Sequence, residues 1–170
     1  RVDALCATKD HIDILVDLLT LKITPSILRN KQFFKKYAPQ IYILSGGFIE
    51  FVWPTVKPFG LLQEHIFANS FLFDYAGSVI GFDESNPLAH ENGKAKLLDE
   101  LGLDEKTIII GDGYTDYEAT LSGKNRKFFA FIENIYRKPV VEKADKVLAN
   151  FDDFLDECLP SDNFTKSTNK

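Results

Sequence analysis

The chain has 170 residues and a mass of 19.3 kDa, with 45% hydrophobic residues, 15 Phe and 26% charged residues: enough apolar matter for one domain with a sizeable core, and the wrong balance for a disordered chain. Twenty Lys+Arg against 25 Asp+Glu leave a net charge of −5, which excludes the basic footprint of a protein that binds nucleic acid or an anionic membrane. No apolar run approaches the roughly 20 residues of a membrane span, no signal peptide opens the chain, and two cysteines, Cys6 and Cys158, point to free thiols in a reducing, cytoplasmic setting.

Apolar residues at Ile12, Leu15, Val16 and Leu19, three and four apart, predict a helix over residues 8–19. Thr24-Pro25-Ser26 breaks the pattern, with Pro25 placed as a first helical residue, and residues 27–37 are predicted as a second helix. Residues 41–44 form a short β-rich run that ends in Ser45-Gly46-Gly47, a strand followed by a loop. Pro54 and Pro58 keep the next helix short. Residues 66–73 and 78–82, with Gly77 between them, predict an antiparallel pair. Residues 91–101 are a helix stopped by Gly102. Residues 107–110 are a continuous apolar strand, of the kind buried on both faces of a parallel sheet. After Gly111-Asp112-Gly113 come a helix over about residues 116–121, a strand at 127–132, a short helix at 139–144, a short strand at 146–148 and a last helix at 151–159. Residues 161–170 are polar and predicted to be disordered. The alternation specifies an α/β fold, a Rossmann-like, mainly parallel sheet flanked by helices.

In open parallel sheets, ligands bind beyond the carboxyl ends of the strands. Ser45 follows one apolar strand and Asp112 follows another after a single Gly, so both project from one edge. Lys94 precedes Leu97, Leu98 and Leu101 by three, four and seven positions, which puts it on the core-facing stripe of its helix. An inward ammonium needs negative charge, and the first turn of that helix lies beside the edge where Asp112 and Asp116 stand. Each feature alone has an ordinary reading: a turn for Ser-Gly-Gly, a helix N-cap for Asp116, a snorkelling tip for Lys94. Together, at one edge, they make a site suited to phosphate and Mg²⁺, with Gly46 and Gly47 offering backbone N–H groups and the carboxylates offering hard oxygen ligands. On the stripe argument alone, removing Lys94 should cost little stability.

Ile43-Leu44-Ser45-Gly46-Gly47-Phe48, then Glu91-Asn92-Gly93-Lys94, then Ile110-Gly111-Asp112-Gly113-Tyr114-Thr115-Asp116 resembles the haloacid dehalogenase-like (HAD) phosphatases, and within them the phosphoserine phosphatase branch. The resemblance runs from about Thr24 to Leu159. It implies a HAD-like core at residues 23–160, a remnant of a helical cap at 1–22 and a tail at 161–170. It also implies that Ser45 and the Gly46 N–H hold the transferring phosphoryl group, that Lys94 neutralises charge, that Asp112 binds Mg²⁺ directly and that Asp116 supports the metal shell. Thr115 stands where this branch usually has Asn, which bears on hydrogen bonding to the substrate. Arg1-Val2, with Ala4-Leu5, is similar to the cap segment that carries a substrate-carboxylate arginine, so Arg1 would favour an amino-acid phosphate such as phosphoserine.

The family's first motif, Asp-x-Asp-x-Thr/Ser, supplies the nucleophile and the general acid/base. It does not occur within these 170 residues. The sequence opens on Arg1 and holds no Met, as expected of a piece that begins inside a longer protein, with that motif upstream. The missing strand would be the centre of the sheet, between the strands ending at Ser45 and Asp112, supplied by the same polypeptide or by a second copy. The function implied is Mg²⁺-dependent hydrolysis of a small phosphorylated metabolite through an aspartyl-phosphate, with the 170 residues inactive alone. The alternative is a non-catalytic member that binds phosphate or a partner protein. A receiver-type signalling domain fits less well, because there the Lys follows the acidic residues.

Overall fold

A computed structural model describes residues 6–103, 106–123 and 125–158; the expectations for Arg1 and for residues 161–170 lie outside them. Thr8 opens α1 (Lys9–Thr20), its backbone N–H donating to His11 Nδ1 at 3.2 Å. The helix predicted over residues 27–37 is two helices, α2 (Pro25–Arg29) and α3 (Lys31–Lys36), parted at Asn30. The cause is local. Asn30 Nδ2 donates to the Ser26 carbonyl at 2.9 Å and to Asp152 at 2.6 Å, taking the acceptor that a continuing helix would use.

β1 (Ile43–Phe48) leads into α4 (Ile49–Val56), against which α1 lies, and β2 (Ile66–Asn69) runs parallel beside β1. The stretch 66–73 is therefore not one strand. Ser70 ends β2, and β3 (Phe71–Phe73) turns to pair antiparallel with β4 (Val79–Phe82), its first N–H donating to Glu50 Oε1 at 2.9 Å. α5 (Gly93–Glu100) stops at Gly102, whose φ of +65° is the left-handed exit the sequence predicts. β5 (Ile108–Gly111), α6 (Tyr114–Glu118), β6 (Lys127–Phe131), α7 (Lys138–Val141), β7 (Lys146–Leu148) and α8 (Phe151–Cys158) follow, with β5, β6 and β7 parallel in that order.

The described strands thus form two parallel units, β1-β2 and β5-β6-β7, and one antiparallel hairpin. Side chains from both parallel units, Ile43 and Ile110 among them, meet one core built on Phe33, Phe34, Phe59, Leu61, Ile66 and Phe151. Among the described residues, however, no backbone pairing joins β1 to β5. Burial reflects this. The run Ile108 to Ile110 has the composition of a strand covered on both faces, yet all of it is only half-buried, whereas Phe128, Phe129 and Ala130 of β6 are at most 5% exposed. β5 has the apolar character of an interior strand and, among the described residues, a partner on one edge only. No helix among the described residues is long and apolar enough to cross a membrane, and Cys6 and Cys158 are free thiols.

Candidate active site

Ser45-Gly46-Gly47 lies inside β1 rather than in a loop after it, and it interrupts the ladder. Leu44 pairs with Phe67 and Phe48 with Asn69, so four steps along β1 face two along β2. Such a bulge withdraws its peptides from strand pairing and frees their polar groups. Gly47 N–H donates to Ser45 Oγ at 3.0 Å. Gly46 is exposed, with open space where a side chain would project. Backbone, unshielded by side chain, is what this segment presents.

Lys94 stands in the first turn of α5. Leu97 and Leu98 of the same helix are buried, which fixes the face that turns inward. Only 20% of the Lys94 side chain is exposed, and Nζ donates to Asp116 Oδ1 at 2.5 Å. The other carboxylate oxygen of Asp116 accepts the Gly113 N–H at 3.0 Å. Asp116 is therefore the third residue of α6 reaching back to the cap position, not the N-cap itself. Gly111 leaves room for it: a Cβ there would lie 2.2 Å from Asp116 Oδ2. One carboxylate thus ties the first turn of α5 to the loop after β5.

Asp112 is set apart from that pair. Its carboxylate pairs with the Arg137 guanidinium, and its carbonyl accepts from Arg137 Nη1 at 2.7 Å. Both side chains are nearly half exposed. A cavity of about 370 Å³ opens beside Lys94 and is lined by Gly46, Leu88, His90, Thr115 and Glu118 among others. The carboxyl end of β1, the start of α5 and the start of α6 therefore share one rim. Ser45 is next to Gly46 with its hydroxyl turned to Gly47, and Asp112 is outside the cavity lining.

Asp112 and Asp116 are hard oxygen donors, but Asp116 is already bound on both oxygens. Among the described residues, no group of three or more His, Cys, Asp or Glu side chains is placed to hold a metal ion. That donor set suits a cation that keeps several waters and shares its shell with phosphate, as Mg²⁺ does, better than a fully protein-caged ion. Two residues escaped the sequence reading. Asn69, 5% exposed, ends β2 and donates through Nδ2 to the Gly46 carbonyl at 3.0 Å; it follows an apolar run just as Ser45 does, and that position was the available signal. Arg137 had no such signal, because it lies 25 residues from its partner in an irregular stretch.

No protein-family model matches the chain. The chain is 36% identical over 118 residues to the chloroplastic phosphoserine phosphatase of Arabidopsis thaliana, a match covering 68% of this chain and 40% of that protein. It is 27% identical over 159 residues to the phosphoserine phosphatase of Drosophila melanogaster, covering 91% and 58%. It therefore spans about half the length of these relatives. Among solved structures, a phosphoserine phosphohydrolase-like protein from Francisella tularensis superposes with a TM-score of 0.76 at 29% identity, over 89% of this chain and 71% of that one.

Proposed function

We propose that this chain, which belongs to the haloacid dehalogenase-like superfamily and within it to the phosphoserine phosphatase branch, provides the phosphate-gripping half of a phosphomonoester hydrolase that acts on a small phosphorylated metabolite such as O-phosphoserine. The observation that carries the proposal is Lys94, held by the buried carboxylate of Asp116, on the same cavity as Gly46 and Thr115. A dianionic phosphoryl group entering that cavity meets the Gly46 N–H, which the bulge frees from the ladder, and the Lys94 ammonium. Asp116 fixes the ammonium from behind, so the lysine needs no reorganisation when charge develops on the phosphoryl oxygens. Thr115 offers a hydroxyl on the same wall. Asp112, whose carboxylate a cation would have to win from Arg137, is the residue that would hold Mg²⁺, whose chemistry there would be to neutralise and orient the phosphoryl oxygens.

The nucleophilic aspartate belongs, in this proposal, to an extended segment outside the 170 residues, entering between β1 and β5 from the same polypeptide or from a second copy. Two observations support it: the absence of Asp-x-Asp from the sequence, and the half-buried apolar strand β5 whose open edge faces no described strand. α1 is read as the remainder of a cap, and the two free thiols fit a reducing compartment such as the cytoplasm. The test is orthophosphate release from O-phosphoserine by the full-length protein with Mg²⁺. Asp112→Asn should lower turnover by about 100-fold or more, with an unchanged circular dichroism spectrum. Wild-type turnover in that variant would remove Asp112 from the metal site. Orthophosphate binding by a wild-type protein that hydrolyses no phosphomonoester would favour the non-catalytic alternative.

A further inference from the structure

The two elements that grip phosphate in the proposed function come from distant parts of the chain, and one buried side chain touches both supports. Asn69 Nδ2 donates to the carbonyl of Gly46 at 3.0 Å, and at 3.5 Å it reaches the carbonyl of Leu88. Leu88 sits in the short 3₁₀ turn Pro87–Ala89, directly ahead of α5. That turn is the seat of the helix: a Cβ on Gly93 would come within 2.0 Å of the Pro87 carbonyl oxygen and 2.9 Å of Leu88 Cα. The next residue is Lys94. A second asparagine fastens the turn to β2, since Asn86 Nδ2 donates to the Ala68 carbonyl at 2.8 Å and Asn86 Oδ1 accepts the Leu88 N–H at 2.9 Å.

The bulge creates the need for this tie. Gly46 falls in the stretch of β1 that the register shift leaves without a paired residue on β2, and its carbonyl takes the amide of buried Asn69 instead. The Asn69 amide meets two carbonyl oxygens, which fixes its NH₂ toward them and its own oxygen away. That oxygen, Oδ1, is buried without a partner among the described residues. An amide that accepts such a loss is held by what its donors do. Holding the Gly46 carbonyl sets the plane of the Gly46–Gly47 peptide, while Gly47 N–H stays on Ser45 Oγ.

We infer that Asn69 is a positioning residue that fixes the separation between the Ser45–Gly47 bulge and Lys94, and so sets the width of the phosphate grip. The inference rests on the phosphate-binding reading of that cavity. It is tested in the full-length protein with Asn69→Ala and with the isosteric Asn69→Asp, which keeps the packing and replaces both donors by an acceptor. Orthophosphate affinity, measured by calorimetry at a temperature where each variant is folded, should fall about tenfold in both, and kcat for O-phosphoserine should fall with it. A lower melting temperature with wild-type orthophosphate affinity and wild-type kcat would overturn the inference, leaving Asn69 as packing. Should Asn69→Ala fail to fold, Asn69→Ser, which keeps one donor, is read in the same way. The backbone amide resonances of Gly46 and Gly47 give a separate readout. They should shift in Asn69→Ala, and unshifted resonances would also overturn the tie. This readout stands even if the wild-type protein hydrolyses no phosphomonoester, a result that would count against the function alone.

Discussion

Removing either member of the Lys94–Asp116 pair should destabilise the protein, and removing both should cost little more than removing one. At 2.5 Å, with an effective dielectric of about 20, the gross attraction is about 7 kcal/mol, most of it offset by taking both charges out of water. Stranding one member of a buried pair costs about 3–5 kcal/mol in general. Here one fifth of the lysine side chain still reaches solvent, and Asp116 keeps the Gly113 N–H, so Lys94→Met and Asp116→Asn should each cost about 2–4 kcal/mol. The double variant strands nothing and should cost about as much as either single change, a coupling of about 2–4 kcal/mol. This revises the expectation from the helix stripe, in which loss of Lys94 was nearly free: the lysine is the counter-charge of a buried acid. Urea unfolding of the full-length protein and its three variants measures the cycle, repeated in high salt because a mostly buried pair is only weakly screened. Single costs that sum to the double within about 0.5 kcal/mol would refute the reasoning.

Gly93→Ala should lower the melting temperature by several degrees and abolish most phosphatase turnover, because the obstructing atoms are backbone of residues 87 and 88 and α5 must shift bodily, carrying Lys94 with it; an unchanged melting curve would show that the turn yields. Arg137→Gln should tighten Mg²⁺ binding about two- to fivefold by calorimetry, since an exposed ion pair holds Asp112 by no more than about 1 kcal/mol; unchanged affinity would mean that guanidinium and cation do not compete for that carboxylate. Iodoacetamide at neutral pH should label exposed Cys6 before Cys158, because burial, aided by the charge of Glu157, pushes the Cys158 thiol up and keeps it protonated; mass spectrometry of the native protein reads the order.

Periodicity located the helices and strands well where the physics is local. The run that became β5, the Gly102 stop and the inward face of Lys94 all follow from spacing within one element. What was not legible came from contacts across the chain. Asn30 splits a helix because Asp152, 122 residues away, is there to take its amide. Residues 66–73 read as one β-rich stretch, and only the parallel claim of β1 on residues 66–69 decides where it divides. The composition of Ser45-Gly46-Gly47 suggests a turn equally well whether the strand ends there or bulges. Asn69 looks like any polar strand end until the bulge gives it a carbonyl to hold. Side-chain partners that stand far apart in sequence leave no periodic trace, and the rim of the cavity beside Lys94 is assembled largely from such partners.

The division of the parallel strands into two units also bears on the order in which the chain acquires its shape. β1 and β2 are joined through α4, and β5, β6 and β7 through α6 and α7, so each unit closes on contacts between neighbouring segments. Local closure is fast and loses little chain entropy, whereas bringing Ile43 and Ile110 to a common core spans a much longer loop. The units share that core, so they open together, and hydrogen exchange on the 170-residue chain should release the amides of β5, paired with one described strand, before those of β6, which is paired on both sides.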